Sequence, residues 1–435
     1  MHTVKQLLAA SLLLLTFGSA YAGLPIQHWR TSAGSEVYFV ENHDLPIIDV
    51  SVNFVAGSSR DKAGLAGLTQ HMLTQGAGGL SDEDISNQLA DIGANLGGDV
   101  DPDRASLSLR TLSSQRESTL ALNLLIKVLQ QPDFPEAVLE REKTRIISNL
   151  REAATQPDNL ANKAFYTTLY GNHPYGLVEA STPENIAPLK RDDLLTFYHQ
   201  YYRAEGAVIA LIGDVSKEHA TQLAESLSVG LPKGGQPVNA LPPVTPPDTA
   251  KLVKIPHPAS QAHILLGYPG VKRGDPDYFP LYVGNYILGG GGFVSRLTAE
   301  VREKRGLAYS VYSYFMPLAE AGPFQIGMQT KREQADESLK LVREVLNNFV
   351  KDGPTSKELK AAKQNIIGGF PLRIDSNGKI LDYLAVIGFY RLPLNYLDDF
   401  IGKVDAVTTA QIKDAFMRRI KPDNMVTIVV GTDTE

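Results

Sequence analysis

The alternation of apolar and polar residues predicts strands in the first half of the chain. Between residues 48 and 55, apolar side chains at every second position are separated by Asp49, Ser51 and Asn53. A period of two is typical of a strand with one buried face. A further strand is predicted at 105–112, and a continuous apolar strand at 207–214.

Apolar residues recur at helical spacing between these strands. The second predicted helix opens with Ser81 and Asp84, which are spaced as in a capping box. The helices predicted in this way lie at 64–74, 81–93, 116–131 and 135–155.

The end of the chain repeats the end of the first half. The segments TFYHQYYRAEGAVIALIGD and AFMRRIKPDNMVTIVVGTD each contain an amphipathic helix, a short turn and an apolar strand that closes on glycine, at Gly213 and Gly431. Repeats so far apart indicate duplicated domains rather than a solenoid. The sequence therefore predicts an α+β fold of two duplicated domains, each a mostly antiparallel sheet with helices packed on one face.

A stretch rich in proline and glycine separates the two halves and loses the apolar period. The predicted boundaries are a signal peptide at 1–22, an N-terminal domain at 23–229, a linker at 230–258 and a C-terminal domain at 259–435.

Composition narrows the functional classes. The chain has 435 residues, of which 43% are hydrophobic and 21% charged, as in an ordinary globular protein of more than one domain. The formal net charge of −6 and the lack of a basic block argue against nucleic-acid binding. The chain has no cysteine, which excludes disulfides, a thiol nucleophile and a lipid-modified N-terminal cysteine.

The first residues are typical of a secretory signal peptide. Lys5 precedes an apolar run from Leu7 to Phe17, and Ala20-Tyr21-Ala22 provides a small-x-small cleavage signal. The apolar run is too short to cross a bilayer. We expect a mature periplasmic protein that starts near Gly23 and has no membrane anchor.

The segment from Ile287 to Ser313 stands out in the second half. Its four consecutive glycines, 289–292, predict a flexible turn, and Phe293, Leu297 and Val301 behind them recur at helical spacing. Gly306 ends this helix, and the aromatic-rich strand that follows carries rings on both faces. We therefore expect the strand to be covered on both sides.

Arg302 lies in the last turns of the predicted helix, and Tyr309 lies just beyond its end. On spacing alone, Arg302 could be a solvated cation at a helix end beside Lys304 and Arg305. Tyr309 could equally be a core ring.

The segment AGLAGLTQHMLTQGAGGLSDEDI holds the corresponding position in the first half. It resembles the metal-binding region of the pitrilysin or insulinase family of zinc metallopeptidases, which carries H-x-x-E-H on this helix. In that motif two imidazoles bind zinc and the glutamate activates the metal-bound water. The resemblance aligns Gly67, Gln70 and His71 with the motif. It aligns Glu142 with an upstream acidic position and Asn149 with the third ligand.

These departures remove the zinc chemistry. Glycine offers no ligand atom, the glutamine amide cannot accept a proton as a carboxylate does, and asparagine is a weak neutral ligand. We interpret His71 as a hydrogen-bonded remnant of the motif, and we expect no cofactor in this chain.

The second half keeps the family pattern. Family enzymes carry an arginine and a tyrosine seven residues apart that reach the zinc-bound substrate across a closed chamber, and Arg302 and Tyr309 match them in spacing and context. The resemblance implies that both side chains donate hydrogen bonds to the substrate and to a developing oxyanion. It also implies a clamshell half (LuxS/MPP-like) that pairs with a homologous zinc-bearing H-x-x-E-H subunit.

Family members bind peptides as an added strand beside the metal helix. The corresponding stretch here is ANLGGD, in which Asn95, Gly97 and Gly98 are candidate substrate-binding residues. Glycines allow a peptide backbone to approach closely, but a plain turn explains them equally well.

Three hypotheses remain. The first is a noncatalytic, substrate-binding subunit of a two-chain periplasmic zinc endopeptidase. The second is a proteolytically inactive peptide-binding or structural scaffold. The third, and the weakest, is a standalone metallopeptidase with a rearranged site.

Overall fold

The computed structural model describes residues 24–61, 64–234 and 238–432, so the predicted signal peptide lies outside the described residues. The strands are β1 (Gln27–Arg30), β2 (Glu36–Glu41), β3 (Ile47–Phe54), β4 (Gly76–Ala77), β5 (Leu80–Ser81), β6 (Asn95–Val100), β7 (Ala105–Leu112), β8 (Val208–Gly213), β9 (Lys251–Pro256), β10 (Gln261–Pro269), β11 (Ala308–Phe315), β12 (Pro323–Lys331) and β13 (Val426–Thr432). The α-helices are α1 (Leu65–Met72), α2 (Asp82–Asp91), α3 (Gln115–Gln130), α4 (Glu136–Ala153), α5 (Pro157–Tyr170), α6 (Pro183–Ile186), α7 (Arg191–Tyr201), α8 (Lys217–Val229), α9 (Tyr278–Asn285), α10 (Ala335–Asp352), α11 (Ser356–Gly369), α12 (Asn377–Phe389), α13 (Tyr396–Ala406) and α14 (Thr409–Arg419).

The first half is built on a six-stranded sheet in the order β1-β2-β8-β3-β7-β6. Only β2 and β8 run parallel, and every other neighbouring pair is antiparallel. The apolar face of β3 is fully buried under the helices of this half, as the alternation predicts. The polar face of the same strand carries Asp49, Ser51 and Asn53 and points toward the second half.

The second half repeats this topology. Its sheet has the order β11-β12-β10-β13-β9, which matches β6-β7-β3-β8-β2 strand for strand, including one parallel pair at the same place. Gly213 is the last residue of β8 and Gly431 the last but one of β13, and their φ values of 140° and 101° favour glycine. The duplication and the mostly antiparallel sheets predicted from the sequence are confirmed.

One helix of each half crosses to the sheet of the other half. Helix α12 packs on β8 and β3, and helix α5 packs on β13 and β10. These contacts are close: a Cβ atom at Gly388 would lie 2.5 Å from Val208 Cγ1, and one at Gly267 would lie 2.4 Å from Phe165 Cζ. The helices thus cover both faces of each sheet in part, where the sequence predicted one covered face.

The proline-rich stretch between the halves is not all linker. Residues 251–256 form β9, an edge strand that pairs with β13 in parallel. Its side chains are mostly exposed, which is why the apolar period is weak there. The second half therefore begins before residue 259. In the described part of the chain, no helix combines the length and apolar character needed to cross a membrane.

Candidate functional site

Helix α1 carries the three residues aligned with the zinc motif. Gly64 precedes the helix in a left-handed conformation, and the Asp61 carboxylate accepts hydrogen bonds from the backbone N–H groups of Gly64 and Ala66. One side of the helix is buried, including Leu68 and Met72. The other side carries the candidate positions, of which Gly67 is exposed and Gln70 and His71 are half-buried.

Gly67 and Gln70 show how the helix differs from a metal-binding one. Among the described residues no atom lies within 4 Å of a Cβ atom built at Gly67, so the position is open there and contributes no side-chain atom to a site. Gln70 Nε2 instead donates a 3.2 Å hydrogen bond to the Ser106 carbonyl on β7. The side chain therefore ties α1 to the sheet.

His71 is engaged by a buried carboxylate on α4. Its Nε2 atom lies 2.8 Å from Oε2 of Glu142, and the same oxygen accepts a 2.8 Å hydrogen bond from Arg145 Nε. Arg145 Nη2 also lies 3.2 Å from His71 Nε2. Because Glu142 is ionised, Nε2 of His71 must donate to it, so the guanidinium is held by Glu142 and not by the imidazole.

Glu142 is the centre of this cluster. Its side chain is only 8% exposed, and Arg141 Nε donates a further hydrogen bond of 3.1 Å to Oε1. Burial acts to raise the pKa of the carboxyl, but the hydrogen bonds from its three neighbours outweigh burial and lower the pKa to about 2. The negative charge beside His71 is therefore already balanced by cations.

The residues present do not fit a zinc ion. Asn149, aligned with the third ligand, is exposed on α4, and Gly67 has no side chain. His71 Nε2 already donates to Glu142 and lies 3.2 Å from Nη2 of Arg145. Within the ranges that the structure describes, no group of three or more His, Cys, Asp or Glu side chains could hold a metal ion. The cation next to His71 is Arg145.

The candidate peptide-binding stretch is a strand at the free edge of the first sheet. Among the described residues β6 pairs only with β7, with Gly97 opposite Ser108 and Gly98 opposite Leu107. It is not the plain turn that the sequence left open. Asn95 lies at the start of the strand and is exposed.

The two glycines of β6 face different surroundings. A Cβ atom at Gly98 would lie 2.0 Å from Gln70 Nε2 and 2.3 Å from the Ser106 carbonyl oxygen. Gly98 therefore makes room for the Gln70 side chain. Gly97 is open, with no neighbour within 4 Å of a Cβ atom, and it borders a cavity.

That cavity has a volume of about 590 Å³ and lies between the polar face of the first sheet and α12. Its charged groups are mostly paired: Arg110 Nε donates to the buried Asp49 at 2.6 Å, and Arg104 Nη1 donates to Asn53 at 3.2 Å. Burial raises the pKa of Asp382 on α12, although the charge of Arg104 opposes the rise. The cavity offers polar partners to a chain laid along β6.

The glycine run of the second half is ordered. Helix α9 continues as a π-helical turn through Tyr286–Gly290, and a Cβ atom at Gly289 would lie 2.4 Å from Ser313 Oγ on β11. Asn285 and Ser313 exchange hydrogen bonds of 3.0 and 2.6 Å at this contact. The prediction of a flexible turn is corrected: at Gly289 a close approach requires glycine. A second π-helical turn, Thr298–Glu303, carries Arg302.

Tyr309 occupies a β-bulge. The pairing of β11 with β12 shifts between Ala308 and Ser310, which leaves Tyr309 without a partner residue. A bulge redirects the side chain of the extra residue. Tyr309 is 76% exposed, so the ring is not part of the core, and this end of the strand is not covered on both sides as predicted.

Arg302 lies between two exposed aromatic rings. Its Cζ atom is 4.9 Å from the centroid of the Phe293 ring and 5.9 Å from that of the Tyr309 ring. Phe293 is 71% exposed, although the apolar spacing predicted it on the buried stripe with Leu297 and Val301. These rings hold the guanidinium at the surface.

The neighbouring cations have another role. Lys304 Nζ and Arg305 Nη1 both pair with Glu300, at 2.6 and 3.0 Å. Arg302 has a looser contact, 3.6 Å from Nε to the Glu303 carboxylate. Of the three adjacent cations, Arg302 is the one arranged with Tyr309 as a pair.

Sequence reasoning missed Arg145 and Phe293 as parts of these sites. The spacing of Glu142 and Arg145, three residues apart on a predicted helix, was a signal for an ion pair. The contact of this pair with His71 joins residues that are far apart in the sequence, so no sequence pattern could predict it.

Comparisons with known proteins agree with this architecture. Residues 37–182 match the family model of insulinase (peptidase family M16), and residues 188–366 match that of the peptidase M16 inactive domain. The crystal structure of a peptidase M16 inactive domain from Pseudomonas fluorescens is 38% identical, with a TM-score of 0.91 over 94% of this chain and 98% of that chain.

Two relatives with the name YmxG are each 26% identical. The Bacillus subtilis protein, named an uncharacterized zinc protease, is matched over 89% of this chain and 94% of its own length. The Helicobacter pylori protein, named a non-peptidase homolog, is matched over 98% and 99%. The chain belongs to the peptidase M16 (insulinase) family. Within that family it resembles the inactive, non-peptidase members.

Proposed function

We propose that the chain is the noncatalytic, substrate-binding subunit of a two-chain zinc endopeptidase in the periplasm. In this proposal a homologous H-x-x-E-H subunit provides the zinc, and this chain provides Arg302 and Tyr309. The single observation that carries the proposal is the exposed pairing of Arg302 with Tyr309, on a bulged edge strand, in a chain whose own metal positions do not fit zinc.

The first half supports a noncatalytic role. A zinc ion at His71 would have to displace Arg145 and then find its other ligands at an open glycine and an exposed asparagine. Gln70 has no carboxylate with which to take a proton, and it is tied to the sheet. The helix retains the shape of the motif without its chemistry.

The second half supports a contribution to a site in another chain. The guanidinium of Arg302 and the phenol of Tyr309 are both accessible donors, and the turn behind them packs closely at Gly289 against Ser313. Donors fixed in advance stabilise charge that develops on a peptide carbonyl oxygen when it is attacked. The fork of the guanidinium can also hold a peptide carbonyl.

Peptide substrates would lie along β6. In the part of the chain that the structure describes, no strand pairs with the outer edge of β6, so this edge can pair with an extended backbone by strand addition. Gly97 and Asn95 would then contact the peptide, and the polar cavity beneath Gly97 would accept side chains. The Gln70 side chain occupies the space beside Gly98, which explains the glycine without a contact to the substrate.

The second candidate function is a peptide-binding scaffold with no proteolytic partner. The cluster around Glu142 is consistent with both functions, because its hydrogen bonds are made within this chain and leave no metal chemistry at His71. The two functions differ in the role of Arg302 and Tyr309. In the endopeptidase subunit both residues donate hydrogen bonds to the reacting carbonyl group, whereas a scaffold does not need such donors.

Copurification from the periplasm, followed by a peptide-cleavage assay, tests the proposal. We expect the native chain to begin near Gly23, to cleave no peptide alone, and to elute with an H-x-x-E-H protein of similar length. Cleavage should require both chains. Cleavage by the partner alone at the rate of the mixture would favour the scaffold, and an uncut leader on the native chain would contradict export.

A further inference from the structure

A second cavity lies in the C-terminal half, apart from the residues of the proposed function. Its volume is about 420 Å³, within the usual range for small-molecule sites. It is enclosed by the loop before α9, the loop between α12 and α13, and the end of α13.

The wall of this cavity is mainly aromatic and aliphatic. Tyr278 and Phe279 on α9 face Leu392 and Tyr396 across it. Burial raises the pKa of the Tyr278 and Tyr396 hydroxyl groups, so both stay uncharged and add no negative charge to the cavity. Such a wall suits a flat apolar body.

Arg273 gives the cavity its polar feature. Its Nε atom is buried and has no hydrogen-bond partner among the described residues, which is uncommon in a folded protein. Two contacts hold Arg273 at this position. Its Cζ atom lies 5.3 Å from the centroid of the Tyr390 ring, and its backbone N–H donates a hydrogen bond to the Leu318 carbonyl. A guanidinium on a cavity wall can donate charge-assisted hydrogen bonds to a carboxylate.

The other charged groups of the lining are already partly occupied. Asp275, whose charge would oppose an anion, accepts a 3.0 Å hydrogen bond from Arg419. Lys403 lies 3.4 Å from Asp399 and 5.7 Å from the Phe279 ring centroid, at the mouth formed by α13. Once these ion pairs are formed, the charge that remains in the cavity is the positive charge of Arg273.

We propose that this cavity binds a small aromatic carboxylate, with the ring between Tyr278 and Leu392 and the carboxylate on Arg273. The guanidinium of Arg273 would pair with the carboxylate, and the ring would fill the apolar wall. The chemistry fits a free aromatic acid or the C-terminal residue of a peptide. The site shares no residue with the proposed function.

Isothermal titration calorimetry of the mature chain with 3-phenylpropionate tests the site, with 3-phenylpropionamide as the neutral probe of matched shape. We expect saturable binding of the acid with a Kd on the order of 1 mM or tighter. The amide should bind at least about tenfold more weakly, because it cannot form the charged pair. Equal binding of acid and amide, or no saturable binding of either, would overturn the proposal.

Variants locate the site. Arg273→Met keeps the aliphatic stem and should lower the affinity for the acid at least about tenfold, whereas Arg116→Met, the same change at an exposed surface position, should leave it unchanged. Leu392→Trp fills the cavity with the guanidinium intact and should also abolish binding. Melting temperatures identify any variant that fails to fold. Unchanged affinity in folded Arg273→Met would contradict the assignment.

The two sources of ligand are separated with the tetrapeptide Gly-Gly-Gly-Phe and its C-terminal amide. Tighter binding of the free peptide than of 3-phenylpropionate assigns the cavity to peptide ends. Binding of 3-phenylpropionate alone assigns it to small acids. Either result supports a carboxylate site, and failure of both acids removes it.

Discussion

His71 Nε2 lies 2.8 Å from Oε2 of Glu142, and this carboxylate also holds Arg145. The histidine aligned with a zinc ligand is thereby built into an ion-pair cluster. The guanidinium of Arg145 lies beside the His71 imidazole, where a zinc ion would lie in a metal-binding family member. The arrangement gives predictions for stability, metal binding and catalysis.

The first prediction concerns pH. The folded-state pKa of Glu142 is lowered from 4.5 to about 2, so its stabilising effect is complete above the unfolded pKa and is lost as pH falls through the folded pKa. A depression of this size corresponds to about 3 kcal/mol. Glu142→Gln should lower the free energy of unfolding at pH 7 by up to that amount, measured by urea denaturation. The difference from the unmodified protein should narrow between pH 4.5 and pH 2.

Glu83→Gln, at an exposed position on α2, is the control and should change stability little at any pH. A Glu142→Gln protein as stable as the unmodified chain at pH 7 would show that the cluster adds nothing to the fold.

The second prediction concerns metal. The unmodified chain should bind no stoichiometric zinc. The triple change Gly67→His, Gln70→Glu and Asn149→Glu restores the ligand types, but Arg145 still faces His71. We therefore expect tight zinc only when Arg145→Ala is added, measured by metal analysis after gel filtration. Zinc binding by the triple variant as tight as by the fourfold variant would mean that Arg145 is no obstacle. Activity need not follow, because groups around the ligands also orient them.

The third prediction separates the two glycines of β6. Gly98→Ala should destabilise the fold by about 1–3 kcal/mol, because its methyl group would collide with the Ser106 carbonyl oxygen and with Gln70. Gly97→Ala meets open space and should stay within about 0.5 kcal/mol of the unmodified protein. Thermal unfolding of both variants is the measurement, and equal melting temperatures would contradict the packing described for Gln70.

Much of the fold could be predicted because its signals are local. Strand 105–112 coincides with β7, since polar and apolar residues alternate across a sheet with one buried face. The capping box at Ser81 is present, with Asp84 N–H donating to the serine hydroxyl, because such a box needs only neighbouring residues. The duplication was visible because the two final strands have the same pattern.

The remaining features depend on contacts between distant residues. Gly289 belongs to a π-helical turn because Ser313 packs against it, and Tyr309 is exposed because the pairing of β11 with β12 slips by one residue. The apolar periodicity of the sequence predicts neither the π-helical turn at Gly289 nor the exposure of Tyr309. The crossing of α5 and α12 between the halves is likewise tertiary, since their apolar faces do not specify which sheet they cover.

The turnover of the reconstituted pair tests the central claim most directly. Tyr309 is exposed on a bulge, so Tyr309→Phe should leave melting temperature and assembly unchanged while it removes one donor. We expect kcat for peptide cleavage to fall by roughly 10² to 10³. Arg302→Lys should behave more like a deletion than like a conservative change, because the planar fork is lost.

Tyr312→Phe, the same chemical change three residues along β11, is the matched control and should retain full turnover. Each variant is mixed with the zinc-bearing partner, and the intact complex is confirmed by gel filtration before kcat is measured. The account predicts a large loss for Tyr309→Phe and Arg302→Ala, and none for Tyr312→Phe. Full turnover in Tyr309→Phe and Arg302→Ala, with the complex intact, would contradict it and leave the chain a scaffold.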